Sequence, residues 1–406
     1  MAKWSVRRID ELCEVTSSKR IFAADYVAEG VPFYRAKEIG EKHQGYDKVL
    51  TELFISRTKF EEFRSKFGAP KPGDLLLTSI GALLGSPYVV KKGEEFYFKD
   101  GNLTWFRNLD GIESNFLYYW MLSPRGQGEL NKSKIGAAQP AFTIGLLKQM
   151  EVELPSLPIQ RRIAGILSAY DELIENSRRR IKILEAMARA FYREWFVHFR
   201  FPGHENHARV ASPLGEIPEG WEARHVKDVA TVTYGFPFKS ELFNSNGEGI
   251  PVVRIRDIPT GSSVTYTEEK AEFKYHLSNG HILIGMDGDF HMCIWSNGHA
   301  LQNQRVARFE SNGEIGNMHL FLALETPIQE LNKAIVGTTV AHLGDMHIKA
   351  IQIAWPPFDV RAKAKTVLEP MSEQIIALKR QIQNLRCTRD LLLPRLLSGQ
   401  ISVEAA

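Results

Sequence analysis

The chain has 406 residues, 44% of them hydrophobic and 24% charged, enough for two or three domains with cores of their own and incompatible with wholesale disorder. Lys plus Arg number 51 against 48 acidic residues, so the net charge of +3 says nothing about nucleic acid, and any basic patch must be local. The opening MAKWSVRRIDEL lacks the apolar core of a signal peptide, and no apolar run reaches the roughly eighteen residues of a membrane span; a cytoplasmic protein with no membrane partner is expected. Cys13, Cys293 and Cys387 are scattered and form neither a disulfide framework nor a CxxC pair, so they read as reduced bystanders.

Along the first part of the chain, Gly and Pro punctuate short apolar runs at Val31–Tyr34, Leu75–Leu77, Tyr88–Val90 and Leu103–Phe106, the pattern of a strand-rich core. Phe116–Leu122 reads as one helix. From Pro158 the period changes: Ile159, Ile163, Ile166, Tyr170, Leu173, Ile181, Leu184, Ala188, Phe191 and Trp195 recur at steps of three and four, with a polar step at Ser177. That is a long amphipathic helix whose outer face carries Arg178, Arg179, Arg180, Lys182, Arg189 and Arg193. A polar linker, Pro202–Gly220, leads to a second, smaller globule with its own helix at Met318–Leu324. A second seam follows at Val360, Ala364, Val367, Met371, Ile375, Leu378, Ile382, Leu385, Leu392 and Leu396. Pro370 predicts that the long helix begins there, after a shorter one.

The second half repeats the first. Without gaps, residues 136–196 lie on 337–397, placing Gly136 on Gly337, Lys148 on Lys349, Pro155 on Pro356 and Leu167 on Leu368. Upstream, Trp4 and Arg7 fall on Trp221 and Arg224, Val15 and Thr16 on Val232 and Thr233, Val31–Ile39 on Ile250–Ile258, and Gly73–Gly81 on Gly280–Gly288. Five blocks in the same order exclude coincidence, and the copies differ in length only within their globules. Each apolar seam needs a partner, and the other copy supplies it if the two helices pair antiparallel, with the globules at opposite ends of a rod. About thirty helical residues give roughly 45 Å, a little over one turn of B-DNA. The expected fold is therefore α+β: two α/β globules separated by a long antiparallel helical coiled coil, with an internal pseudo-twofold repeat. Its central seam positions are Leu173, Ile181, Leu184 and Phe191 against Ile375, Leu378, Ile382 and Leu385.

These residues carry a family likeness. The segment Leu-Pro-x-Leu-Pro-x-Gln-x-x-Ile-Ala-x-Ile-Leu at Leu154–Leu167, the Asp171/Ile174 helix with Arg178–Arg180, the aromatic end at Phe191–Phe196 and the tail Pro394–Gln400 resemble the specificity subunit of a type I restriction-modification system over nearly the whole chain. The resemblance implies target-recognition domains at residues 1–155 and 221–355, a central helical region at 156–201, a linker at 202–220 and a C-terminal helical region at 356–406. It implies that each recognition domain reads one half of a bipartite, asymmetric site in double-stranded DNA, and that the helices fix the gap. It further implies docking to two methylation subunits, which carry S-adenosylmethionine and the catalytic residues, and to restriction-translocase subunits. The second helical copy departs from the pattern: Val360-Arg361-Ala362 stands where Ile159-Gln160-Arg161 does, so the Gln is missing and docking at that end is expected to differ in detail.

Catalytic signatures are missing. An adenine methyltransferase needs Asn or Asp before Pro-Pro-aromatic to accept from the target amino group. In Trp355-Pro356-Pro357-Phe358 a Trp stands there, and the segment reads as a helix-start turn. No P-loop, GxGxxG, HExxH or GxSxG occurs, and the histidine spacings fit no metal, so no catalytic residue, metal or cofactor is expected in this chain.

Reading DNA calls for Arg, Lys, Asn, Gln or Ser on loops. The candidates are Lys19, Arg20, Arg35, Lys37, Thr78, Ser79 and Gln139 in the first copy and Lys239, Ser240, Arg254, Arg256, Gln302, Gln304 and Arg305 in the second. Arg35 and Arg254, set within apolar runs, read equally as DNA contacts and as salt-bridge partners in the globules, whereas Lys37 and Arg256 favour phosphate. The turns Gly136-Ala137-Ala138-Gln139 and Gly337-Thr338-Thr339 are either simple joints or amide contacts to phosphate. Features shared by both copies are poor base readers, so specificity is expected in the unmatched loops. The competing expectation is a noncatalytic coiled-coil scaffold presenting two protein-binding globules; a self-contained DNA-modifying enzyme is disfavoured by the missing motifs.

Overall fold

Short apolar strands between Gly and Pro turns assemble into paired small sheets in both copies. The computed structural model describes residues 4–45, 49–136, 138–335 and 342–403. The chain forms two compact units, one of Met1–Glu175 with Leu385–Ala406 and one of Asn176–Asn384.

In the first unit an antiparallel sheet runs in the order Glu14–Thr16, Leu103–Arg107, Leu75–Thr78, Pro87–Val89. Leu75, Leu76 and Leu77 are all fully buried, because both faces of this strand are covered. Leu75 and Leu77 enter the core beneath the helices, while Leu76 faces a second core of Tyr88, Phe98 and Trp105. A continuous apolar run thus serves two cores at once. The second sheet, Tyr26–Val27, Phe54–Ile55, Val31–Tyr34, Tyr97–Phe98, ends on a parallel pair with Phe33 opposite Tyr97. The helices are α1 (Ala36–His43), α2 (Arg57–Phe67), α3 (Ser114–Leu122), α4 (Pro124–Lys132) and α5 (Ile144–Lys148). The helix read at Phe116–Leu122 is α3, capped by the Glu113 carboxylate, which accepts from Phe116 N at 2.7 Å. Ser123 and Pro124 then start α4, and Gly126 lets it turn back, since a Cβ there would lie 2.0 Å from the Trp120 carbonyl oxygen.

The strand Ser5–Arg8 pairs with Glu151–Leu154, which leads into α6 (Leu157–Tyr192). Ile163, Ala164 and Leu167 of α6 share one core with Phe116 and Trp120 of α3 and with Leu393, Leu396 and Leu397 from the end of the second long helix. Asp171 ties the same three elements: it accepts from Tyr119 Oη at 2.6 Å and pairs with Arg389. At the start of α6, Gln160 is 1% exposed. Its amide donates to Gly111 O and Pro155 O at 3.0 and 2.9 Å, and its carbonyl oxygen accepts from Glu113 N at 2.9 Å.

The second unit repeats this plan. Its sheets run Ala230–Tyr234, Val306–Ser311, Ile282–Gly285, Met292–Ile294 and Tyr266–Thr267, Ile250–Val253, Ala300–Gln302, His276–Leu277, and the second again contains a parallel pair, Val252 opposite Leu301. Glu222–His225 pairs with Gln352–Trp355 as Ser5–Arg8 does with Glu151–Leu154. Its helices are α7 (Val226–Val229), α8 (Asn317–Ile335), α9 (Asp345–Ala350) and α10 (Phe358–Leu397). Its globule is shorter because the eleven-residue α2 is replaced by the three-residue turn Phe273–Tyr275, and the eight-residue α1 by Ile255–Asp257. The stretch read as a polar linker holds a hairpin, Arg209–Ser212 with Gly215–Pro218, and buries Phe201 and Ile217 with Phe196, Trp221, Val360 and Ala364.

Two expectations need correction. Pro370 does not begin a helix; α10 runs unbroken through it. The lost amide costs about 3 kcal/mol, which burial of Leu368 and Ile375 on either side offsets at roughly 1.5–3 kcal/mol each. The seam is also displaced by one residue in places. Leu173 is 50% exposed and Ile174 is buried instead, because burial along α6 follows Ile163, Leu167, Tyr170, Ile174, Ser177, Ile181, Leu184 and Ala188. In α10, Leu368 and Ser372 are buried where Val367 and Met371 were expected; Ile375, Leu378 and Ile382 lie in the seam, and Leu184, Leu385 and Phe191 are half-buried. The pairing is antiparallel within each unit: Asp171 meets Arg389 in the first, and Glu185 meets Lys379 at 3.9 Å in the second.

Arg361, which stands where Gln160 does in the first copy, performs the same task with different chemistry. Its Nη1 donates to Pro356 O at 2.6 Å, the equivalent of Pro155 O, and its Nη2 meets Glu314 in the loop before α8 at 2.9 Å. Nearby, His319 is 1% exposed against Tyr192 and Phe196, and neither ring nitrogen has a hydrogen-bond partner among the described residues. Burial pushes its pKa down to about 3, with the Arg361 charge adding to the effect. The folded state therefore holds a neutral imidazole that the unfolded chain protonates below about 6.5, so its contribution to stability is complete above that pH and is lost as pH falls toward 3. Denaturant melts at pH 7.5 and 4.5 should show the wild type losing about 2–3 kcal/mol more than His319→Phe on acidification; equal losses would refute the assignment.

Candidate nucleic-acid interface

The polar residues singled out in the sequence lie in or beside the ends of strands of both sheets, and the structure sorts them into exposed and interior groups. Lys19 and Arg20 follow the strand Glu14–Thr16 and are exposed; Arg20 Nε lies 2.9 Å from Asp100. Lys239 and Ser240, exposed as well, follow the equivalent strand of the second globule. Gly235 holds that loop close to its neighbour, since a Cβ would lie 1.9 Å from the Asn303 carbonyl oxygen. Gln304 and Arg305, just beyond Asn303, are exposed, as is Gln139 in the first globule. Ala137 and Gly337-Thr338-Thr339 lie outside the described residues.

Arg35 and Arg254 both make contacts within their globules. Arg35 precedes α1 and donates through Nη2 to Glu38 Oε1 at 2.7 Å, while its backbone N donates to Glu38 Oε2 at 2.8 Å. Burial pushes the Glu38 carboxyl up, but the Arg35 guanidinium and amide outweigh it and hold the group below its ordinary value. In the second copy the acid is the shorter Asp257. It accepts from Arg254 N at 2.9 Å, and the guanidinium turns to Thr265 Oγ1 over the Phe243 ring. Two residues on in each copy, Lys37 and Arg256 are exposed, and Lys37 lies 3.9 Å from Glu41.

Three candidates belong to the interior. Gln302 is fully buried and donates to Thr233 O and Val306 O, both at 2.8 Å. Thr78 is fully buried, accepting from Ser86 N at 2.8 Å and donating to Leu83 O. Ser79 is bonded to Thr104 Oγ1 at 2.7 Å. These side chains shape the loops and offer no face to a ligand.

Sequence reasoning missed the arrangement around Asp287. His342 Nδ1 lies 2.6 Å from its Oδ1 and Arg305 Nε lies 3.3 Å from its Oδ2. Backbone bonds bring these three loop tips together: Met286 N donates to Arg305 O at 3.0 Å and Leu343 N to Met286 O at 2.7 Å. The first globule has the same bonds, Ser79 N to Asn102 O at 2.8 Å and Phe142 N to Ser79 O at 3.0 Å. The signal was present in the repeat, which lays Ile80 on Asp287 between matched residues.

A model of the family described as the type I restriction modification DNA specificity domain matches residues 1–186 and again 218–385. The chain belongs to this family, as a specificity subunit with two such domains. It is similar to the type I restriction enzyme MjaIX specificity subunit of Methanocaldococcus jannaschii, 27% identical over 99% of this chain and 94% of that protein. Its similarity to the EcoBI specificity subunit of Escherichia coli, 30% identical, covers 47% of this chain and 41% of that one. The crystal structure of a type I S subunit from M. genitalium shares the fold, with a TM-score of 0.64 at 17% identity over 97% of this chain and 96% of that one. Among the described residues no helix is long and apolar enough to cross a membrane.

Proposed function

We propose that this chain is the noncatalytic DNA-recognition subunit of a cytoplasmic type I restriction-modification complex. Each globule binds one half of a bipartite, asymmetric site in double-stranded DNA, and the paired helices fix the gap between the halves. Two methylation subunits, which carry S-adenosylmethionine, and restriction-translocase subunits dock on the chain, which holds no cofactor of its own. The observation that carries this reading is the duplicated globule: the same backbone bonds hold the same loops in both copies, exposed cations recur at Lys37 and Arg256, and the side chains at the loop tips differ. Common cations suit phosphate, which is the same everywhere, and differing tips suit two different half-sequences.

The test is binding to a random duplex library, by the chain alone and with its copurified methylation subunits, followed by sequencing of the retained and methylated DNA. A bipartite site with two unrelated halves is expected, and S-adenosylmethionine should be consumed only when the methylation subunits are present. Methyl transfer by the chain alone would overturn the noncatalytic reading; no enriched site would favour a scaffold. Lys37→Ala and Arg256→Ala should each weaken all sequences alike and reduce the slope of log K against log salt by about 1, measured by titration at several salt concentrations.

A further inference from the structure

We propose that the meeting point of three loop tips in each globule is its base-reading site, and that Arg305 in the second globule reads a guanine. The proposal rests on the DNA-recognition reading above and adds which residues choose the sequence and for which base.

The two globules build this point with the same two backbone hydrogen bonds. In the first, the tips are Ile80, Asn102 and Ala141; in the second, Asp287, Arg305 and His342. Equivalence follows from the hydrogen bonds rather than from sequence spacing. Ser79 N and Met286 N, each just before the first tip, donate to the carbonyls of Asn102 and Arg305; Ser79 O and Met286 O then accept from Phe142 N and Leu343 N, each just after the third tip. The residues beneath are invested in the fold in both copies: Thr78, Ser79 and Gln302 are buried and bonded to the loops themselves. A rigid, repeated support carrying unlike side chains is what two domains of common ancestry need in order to read unlike sequences.

The chemistry at the tips differs completely. Ile80, Asn102 and Ala141 are neutral, and Ile80 is 36% exposed. In the second globule Asp287 uses one oxygen on His342 and the other on Arg305 Nε, and the Arg305 side chain remains 54% exposed. With Nε beside the carboxylate, the terminal nitrogens of Arg305 form an exposed fork. That fork matches guanine O6 and N7 in the major groove. The nearby carboxylate favours this placement of the fork, and the arginine's own charge offsets the carboxylate that would otherwise repel the phosphates. By the same pairing rules Asn102 suits adenine N6 and N7, and Ile80 suits a thymine methyl.

The experiment sequences DNA retained from the random library by the full chain with its methylation subunits. It compares the wild type with Arg305→Ala, Arg305→Gln and Asn102→Ala. The second half-sequence is identified as the one that changes when residues 221–355 are exchanged. The expected result is that R305A lowers discrimination at one guanine of that half by roughly 5- to 100-fold and leaves the other half intact. R305Q should move the preference at the same position toward adenine, because a carboxamide fits adenine; a merely structural arginine would not produce that gain. N102A should relax one position of the first half only. Unchanged preferences in R305A and R305Q beside a normal wild-type site would overturn the proposal while leaving DNA recognition standing. A wild type that enriches no site would overturn both.

Discussion

A chain whose residues 1–155 are replaced by the corresponding segment of another family member recognises a new first half-sequence and keeps the second unchanged. The first globule is closed by its own strands, since Ser5–Arg8 pairs with Glu151–Leu154 at the point where the chain passes into α6, so the exchanged segment carries its whole sheet and all three loop tips. Its union with the helices is the apolar core shared by α3, α6 and the end of α10, together with two polar contacts. Gln160 seeks Gly111 O and Glu113 N, and Asp171 seeks the Tyr119 hydroxyl. A donor segment with matching apolar residues at Phe116 and Trp120, a hydroxyl at the Tyr119 position and a loop of equal length before α3 should be accepted without loss of stability. Methylation-site sequencing gives the readout, and a change in both halves, or in neither, would contradict independent recognition.

The largest stability effect is expected in the helical seam. Leu378, 4% exposed, sits in the second unit among the apolar residues that α10 buries. Leu378→Asp places a carboxylate there without a partner and should cost about 3–5 kcal/mol, whereas Leu173→Asp on α6, at a half-exposed position, should stay within about 0.5 kcal/mol. Urea denaturation of the two variants checks the difference. Equal effects would mean that the seam is not where burial places it.

That contrast shows what the sequence can reveal. A period of three and four identifies the long helices and the repeat pairs them, yet Leu173 and Ile174 are adjacent and both apolar, and only the partner helix decides which one is buried. Pro370 has a strong local preference, and tertiary burial over forty helical residues overrides it. The polar residues were harder still. Gln302 resembles a loop residue, but its acceptor Thr233 O lies 69 residues away, and nothing near Gln302 in the chain announces that bond. Asp287 and His342 are 55 residues apart and belong to different matched blocks. The repeat marked where the copies diverge, and the fold was needed to show that three of those places converge.

The clasp at the start of each long helix has a consequence for the polarity of the molecule. Gln160 closes on backbone groups with a neutral amide, whereas Arg361 closes on a backbone carbonyl and the Glu314 carboxylate with a charged fork. The two clasps thus differ in chemistry: a neutral amide closes one, and an ion pair closes the other. Duplication alone would have left two interchangeable halves and a protein indifferent to its own direction. The exchange of an amide for a guanidinium at this one position leaves the two clasps chemically distinct.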